Sequence, residues 1–216
     1  MSHITNPPVP ALLRYTASLI SWLFHPLLLG LYMCIYLVYG QPDYFIGIGE
    51  KGRGQAVLIY TINSVFFPLV AVLLCKALGF IQSLYINTRK ERIILYSITM
   101  VFFFWTFYVF NNKPGMPPVM AKMALGIFLA VSIDFVANIY LKISMHATGA
   151  GGVAGLLVMT LFTSSAFIGY PVAIAVFIAG LVCTARLLVS DHSMKEIVMG
   201  VVSGFLGQWL AFSFLS

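Results

Sequence analysis

His192 and Glu196 stand four residues apart in Arg186-Leu-Leu-Val-Ser-Asp-His192-Ser-Met-Lys-Glu196, a stretch between two long apolar runs. On a helix this spacing puts both side chains on one face, where the carboxylate can reach a ring nitrogen. A carboxylate that accepts from Nδ1 fixes the tautomer and makes Nε2 the better base or nucleophile. Taken alone, the pair reads more readily as a surface i,i+4 contact at a membrane interface. Arg186 at the preceding helix end, and His146 in Ser144-Met145-His146 at an earlier boundary between runs, shift that balance toward chemistry. Two histidines, a carboxylate and several cations, with no cysteine or carboxylate cluster, suit phosphoryl transfer better than metal chemistry or proteolysis.

The elements that must position these groups are apolar. The 216 residues are 61% hydrophobic and 8% charged, with a net charge of +6, and the mean hydropathy is +0.98. A charge forced to the bilayer centre costs about 2.5–3.5 kcal/mol, so ionisable groups beside such runs need a reason to be there. Apolar segments approaching the ~20 residues that cross a bilayer recur with short polar breaks. They predict helices at 17–39, 55–80, 93–111, 118–141, 147–166, 171–188 and 197–215. The expected fold is all-α: a polytopic membrane bundle of six to seven transmembrane helices, as a single domain over residues 1–216. The first run is too long for a signal-peptide core and no small-residue cleavage site follows it, so it reads as a retained span.

Turn and helix-start signals punctuate the runs at Gly40-Gln-Pro-Asp43, Lys51-Gly-Arg-Gly54, Asn111 to Pro118 and Gly169-Tyr-Pro171. Cys34, Cys75 and Cys183 lie inside apolar runs without metal-ligand spacing, which supports neither a disulfide framework nor a zinc site. No metal, cofactor or nucleic-acid partner is expected. The positive charge suits anionic head groups or a phosphate-bearing substrate, although basic residues beside spans also arise from topology.

Counting spans in pairs puts the breaks at 81–92, 142–146 and 186–196 on one face. That face collects Arg89, Lys90, Glu91, Arg92, Lys142, Ser144, His146, Arg186, Asp191, His192, Lys195 and Glu196; the opposite one has Asp43, Glu50, Lys51, Arg53, Lys113 and Lys122. One polar site built from three loops at one membrane surface is the expectation. Ser144 is placed to cap the fifth span, whose small residues expose backbone N–H groups to an anion. Gly151 and Gly155 also suit close helix packing, the better of their two readings. Lys142 suits a phosphate contact or a snorkelling position equally. Asp134, one turn before Asn138, is expected to face protein and pair with a cation. His25, before Pro26, reads as a kink-associated polar residue outside the site, and Phe102-Phe-Phe-Trp105 as a lipid-facing run.

The motifs resemble those of the type-2 phosphatidic acid phosphatase superfamily, which includes membrane lipid phosphatases and soluble haloperoxidases. Its third motif, Ser-Arg, five residues, His, three residues, Asp, stands here as Ala185-Arg186, His192 and Glu196 with the spacing kept. The second, Pro-Ser-Gly-His, stands as Ile143-Ser144-Met145-His146. The first, Lys, six residues, Arg-Pro, departs furthest: Tyr85 and Ile93 flank Arg92 where lysine and proline belong. The cluster Asn87-Thr-Arg-Lys-Glu-Arg92 offers similar charges at altered spacing, so the resemblance covers about 87–200.

The resemblance implies that His192 attacks phosphorus to form a phosphohistidine. His146 would protonate the leaving oxygen and then activate water, while Glu196 orients His192. Arg186 and Arg92, supported by Arg89 or Lys90, would bind phosphate oxygens without a metal. The substrate class is then a lipid phosphate or pyrophosphate, such as undecaprenyl pyrophosphate, phosphatidylglycerol phosphate or phosphatidic acid. The setting is a bacterial cytoplasmic membrane with the site on its outer side. Setting aside the proposed phosphate-binding cations leaves Arg14 and Lys76 on the active face against Lys51, Arg53, Lys113 and Lys122 opposite, which favours that orientation. A lipid or anion transporter and an inactive membrane scaffold are the rival classes. The sequence leaves the particular lipid and the oligomeric state open.

Overall fold

A computed structural model describes residues 10–82, 88–163, 169–190 and 192–215. Its elements are helices α1 (Ala11–Leu23), α2 (Pro26–Ile35), α3 (Glu50–Tyr60), α4 (Phe67–Ala77), α5 (Arg89–Asn112), α6 (Pro118–Ala137), α7 (Met145–Thr160), α8 (Gly169–Val189) and α9 (Met194–Phe214). No strand occurs among the described residues. In a bilayer every backbone polar group must be satisfied internally, and helices do so within each segment. Among the described residues, five helical stretches are long and apolar enough to cross a membrane: Glu50–Ala77, Arg89–Asn112, Pro118–Ala137, Gly169–Val189 and Met194–Phe214. The all-α membrane bundle expected from composition is therefore the fold.

Two expected spans differ from the sequence reading. The run at 17–39 is not one helix but a pair, Ala11–Leu23 and Pro26–Gly40, bent by 52°. The cause is Pro26, whose ring excludes the helical region for the preceding residue. His25 is accordingly extended (φ −62°, ψ 139°), and Pro26 restarts the chain as the first residue of α2. Counted as one broken span, the pair brings the total to six. The fifth expected span, 147–166, corresponds to α7, which has only 16 residues. At 1.5 Å per residue that is about 24 Å, less than the ~30 Å hydrocarbon core. Its residues 164–166 lie outside the described residues.

Between α3 and α4 the helix widens to a π-helical stretch at Thr61–Phe66. Pro68, which cannot donate a backbone hydrogen bond, follows immediately. At the starts of α5 and α9, polar caps take over. Thr88 and Glu91 form a capping box on α5, and Ser193 and Glu196 form one on α9.

α9 sits at the centre, packed against α6 and α7. It runs antiparallel to α6: the Ser203 hydroxyl reaches Asp134, Gln208 reaches the Met123 carbonyl, and Lys122 lies over the Phe212 ring. It runs parallel to α7 through small residues. A methyl on Gly151 would meet the Val201 backbone, one on Gly155 the Phe205 backbone, and one on Gly204 the Thr148 carbonyl. The packing reading of Gly151 and Gly155 is the one the structure displays. In Phe102-Phe-Phe-Trp105, only part of the run faces outward: Phe104 and Trp105 are about half exposed, whereas Phe103 is buried and Phe102 stacks on Phe67.

Candidate functional site

The parallel packing of α7 and α9 brings both helix N-termini to one end of the bundle, so their unpaired N–H groups and positive dipole ends share a surface. The segment before α7 is tied to the first turn of α9. The Lys142 backbone N–H donates to Glu196 Oε1 (3.2 Å), and the Ser144 N–H donates to the Glu196 carbonyl (3.4 Å). At the start of α5, Arg89 Nε donates to the Asn138 carbonyl (3.2 Å) and Arg92 Nε to Asn138 Oδ1 (2.7 Å). Segments 88–92, 138–146 and 192–196 therefore meet at one end, and the C-terminal part of α8 adds Arg186.

His192 Nδ1 lies 3.5 Å from Glu196 Oε2. That is an ion-pair separation, too long for a strong hydrogen bond. Glu196 is engaged elsewhere: the Ser193 N–H donates to Oε2 at 2.8 Å, closing the capping box. A carboxylate expected only to orient His192 also starts α9 and holds the Lys142 segment.

Burial pushes the His192 pKa below its ordinary 6.5, and the charges of Arg186 and Lys142 push it the same way; Glu196 opposes them. The ring is thus neutral near pH 7, as a nucleophile must be. Removing one repelling charge should reverse part of the shift. Arg186→Gln is expected to raise the His192 titration midpoint toward 6.5, and Glu196→Gln to lower it further, followed by ring-proton NMR against pH. A midpoint that ignores Arg186→Gln would contradict this electrostatic arrangement.

His146 stands in the first turn of α7, with Nε2 3.1 Å from the Ser21 carbonyl. If Nε2 carries the proton it donates there, leaving Nδ1 as the acceptor. Its ring meets His25 edge-on, with centroids 5.4 Å apart. Arg186, His25 and His192 all lie within its electrostatic reach. His25, read from sequence as outside the site, is thus beside it. His25 Nδ1 accepts from the Leu27 N–H as the cap of α2. The signal for this placement was the His25-Pro26 step, which ends a helix at that point.

The other expected residues divide. Ser144 holds the N-cap position of α7, but its hydroxyl makes no capping bond and is buried without a partner among the described residues. Arg186 Nε is likewise buried and unpaired. Lys142 is half-buried near His192, whereas Lys90 is exposed on the first turn of α5. Asp134 departs from its expected cation pairing. Its carboxylate accepts from the hydroxyls of Thr148 and Ser203, both at 2.6 Å, and no ion pair to it occurs among the described residues. Asp191, Asn87 and Tyr85 lie outside the described residues.

A cavity of about 330 Å³ opens beside this cluster. His25, His146, Thr148 and Asp134 are in its wall, and the rest is mostly apolar, including Leu27, Met33, Phe103, Ile127 and Leu156. Tyr96 and Gln208 also line it, each with a buried oxygen that has no partner among the described residues: the Tyr96 hydroxyl and Gln208 Oε1. Among the described residues no group of three His, Cys, Asp or Glu side chains is arranged to hold a metal ion.

Family models, curated proteins and solved structures give no match to the chain. Fold and composition define its class as an all-α integral membrane helical bundle.

Proposed function

We propose that the protein is a lipid phosphatase that hydrolyses a phosphomonoester or pyrophosphate lipid through a phosphohistidine on His192. The observation that carries this reading is the meeting, at one end of the bundle, of His192, His146 and Arg186 with buried donors that lack partners, Arg186 Nε and the Ser144 hydroxyl. A phosphate supplies acceptor oxygens for such donors, and a charge-assisted bond to guanidinium is among the stronger ones.

In the proposed reaction His146 enters as the imidazolium, with its Nε2–H on the Ser21 carbonyl and its second proton on Nδ1; His192 Nε2 attacks phosphorus, and the bond to the lipid oxygen breaks as His146 Nδ1 protonates it. Water, deprotonated by His146, then attacks the phosphohistidine, releasing phosphate and free His192. Arg186, Ser144 and Lys142 neutralise charge on the phosphoryl oxygens. Arg92 and Arg89, held on Asn138, supply positive charge at the same end, and Lys90 adds to it from the surface. The scheme uses no metal. The proposed setting is a bacterial cytoplasmic membrane with this end outward.

One observation favours an inactive scaffold as the second reading. Both Glu196 oxygens serve backbone N–H groups, so Glu196 has a structural reason to be present without catalysis. The discriminating experiment is phosphate release by the purified protein from a panel of lipid phosphates and pyrophosphates with EDTA present. Release that survives EDTA supports the phosphatase. Well-folded protein that releases none across the panel sinks it.

A further inference from the structure

We infer that the cavity beneath His146 is the chain-binding half of this site and admits one hydrocarbon chain, making the ligand a single-chain lipid phosphate rather than a two-chain one. This inference rests on the lipid-phosphatase reading of the head-group end. The cavity is continuous with that end, because His146 and His25 are part of its wall. A phosphoryl group at His146 therefore lies against the cavity wall.

The cavity's size and walls select the ligand class. A volume of about 330 Å³ is at the lower end of the ~300–1,000 Å³ that encloses a single small ligand. Leu27, Met33, Val72, Phe103, Ile127 and Val131 give most of its length an apolar wall, which suits methylene groups and offers them no hydrogen-bonding partner.

The depth is also bounded. Along α7 the lining runs from His146 to Leu156, a rise of about 15 Å at 1.5 Å per residue and about half the ~30 Å hydrocarbon core. At the deep end Gln208 donates from Nε2 to the Met123 carbonyl at 3.3 Å and leaves Oε1 unpaired. A buried amide oxygen is a poor neighbour for hydrocarbon, so Gln208 marks where a chain stops gaining. Tyr96, also in the wall, lies one turn along α5 from Arg92, and its hydroxyl has no partner among the described residues. That donor suits an ester or ether oxygen close to the phosphate.

Non-hydrolysable phosphonates test this without turnover. The protein in phosphatidylcholine nanodiscs is titrated with hexyl-, dodecyl- and octadecylphosphonate and with a diacylglycerol phosphonate. Affinity is expected to rise from hexyl to dodecyl and then level off, with the two-chain compound at least about tenfold weaker. Val131→Phe, which places a ring in the cavity, should weaken dodecylphosphonate about tenfold while leaving the melting temperature near the parent value. Ile127→Phe serves if that variant does not fold. Equal affinity for one-chain and two-chain phosphonates, or undiminished dodecyl binding in a folded filled-cavity variant, overturns the inference. The predicted binding pattern with no phosphate released from any lipid would instead overturn the phosphatase reading and leave the chain site standing.

Discussion

Phosphate release should fall by at least about 10⁴-fold in His192→Ala, as it does when a covalent nucleophile is removed. The fold should survive, because His192 stands outside the regular helices and its ionic contact among the described residues is with Glu196. His146→Ala should cost about 10²–10⁴-fold, the usual range for a general acid and base. Glu196→Gln separates the two roles of that residue. Glutamine still serves a capping box at this position, so α9 keeps its start, while the charge facing His192 and the acceptor for the Lys142 N–H are both lost. Its activity should fall less than in either histidine variant. A scaffold would show no difference among the three, and a transporter would tolerate His192→Ala better than loss of Arg186.

The second large effect is on stability. Gly204→Val should destabilise the protein by about 3 kcal/mol or more, at the upper end of overpacking costs, because its Cβ would meet the Thr148 carbonyl and the Gly152 backbone rather than a movable side chain. The effect should reach the site. Forcing α7 from α9 breaks the Ser144 and Lys142 bonds to Glu196, so whatever protein remains folded should have lost activity as well. A thermal melt of Gly204→Val beside the neutral control Gly180→Ala, whose Cβ meets nothing within 4 Å, checks this. Equal melting temperatures would show that α7 and α9 can separate without penalty.

Much of this fold is legible in the chain because long apolar runs leave a membrane helix little alternative. What hydropathy averages miss are the local backbone rules inside an apolar run. Pro26 breaks the first span without any change in hydrophobicity, and that break brings His25 and the Ser21 carbonyl to His146. The boxes Thr88-Arg-Lys-Glu91 and Ser193-Met-Lys-Glu196 were readable as helix starts. Reading Glu196 only as the orienter of His192, and Glu91 only as part of a charge cluster, hides that both cap helices.

Pairings across helices were less legible, because they depend on which faces meet. Nothing in the spacing says that Asp134 faces Thr148 and Ser203 instead of a cation, or that Asn138 gathers Arg89 and Arg92. The Ser144 hydroxyl shows the reverse case. Its position before α7 is that of a cap, yet the close approach of α9, where a methyl on Gly200 would meet the Ser144 carbonyl, leaves the hydroxyl buried and unpaired.

The central claim is the covalent intermediate, and trapping it under basic conditions gives the most direct test. Radiolabelled dodecyl phosphate is mixed with parent protein, His146→Ala and His192→Ala, and each is denatured in base, where phosphohistidine survives, before peptide mapping. Base-stable, acid-labile label is expected on the His192 peptide of the parent protein and none in His192→Ala, with label both forming and decaying more slowly in His146→Ala, because His146 serves both steps. Hydrolysis that proceeds with no label on His192, or label that persists in His192→Ala, would contradict it.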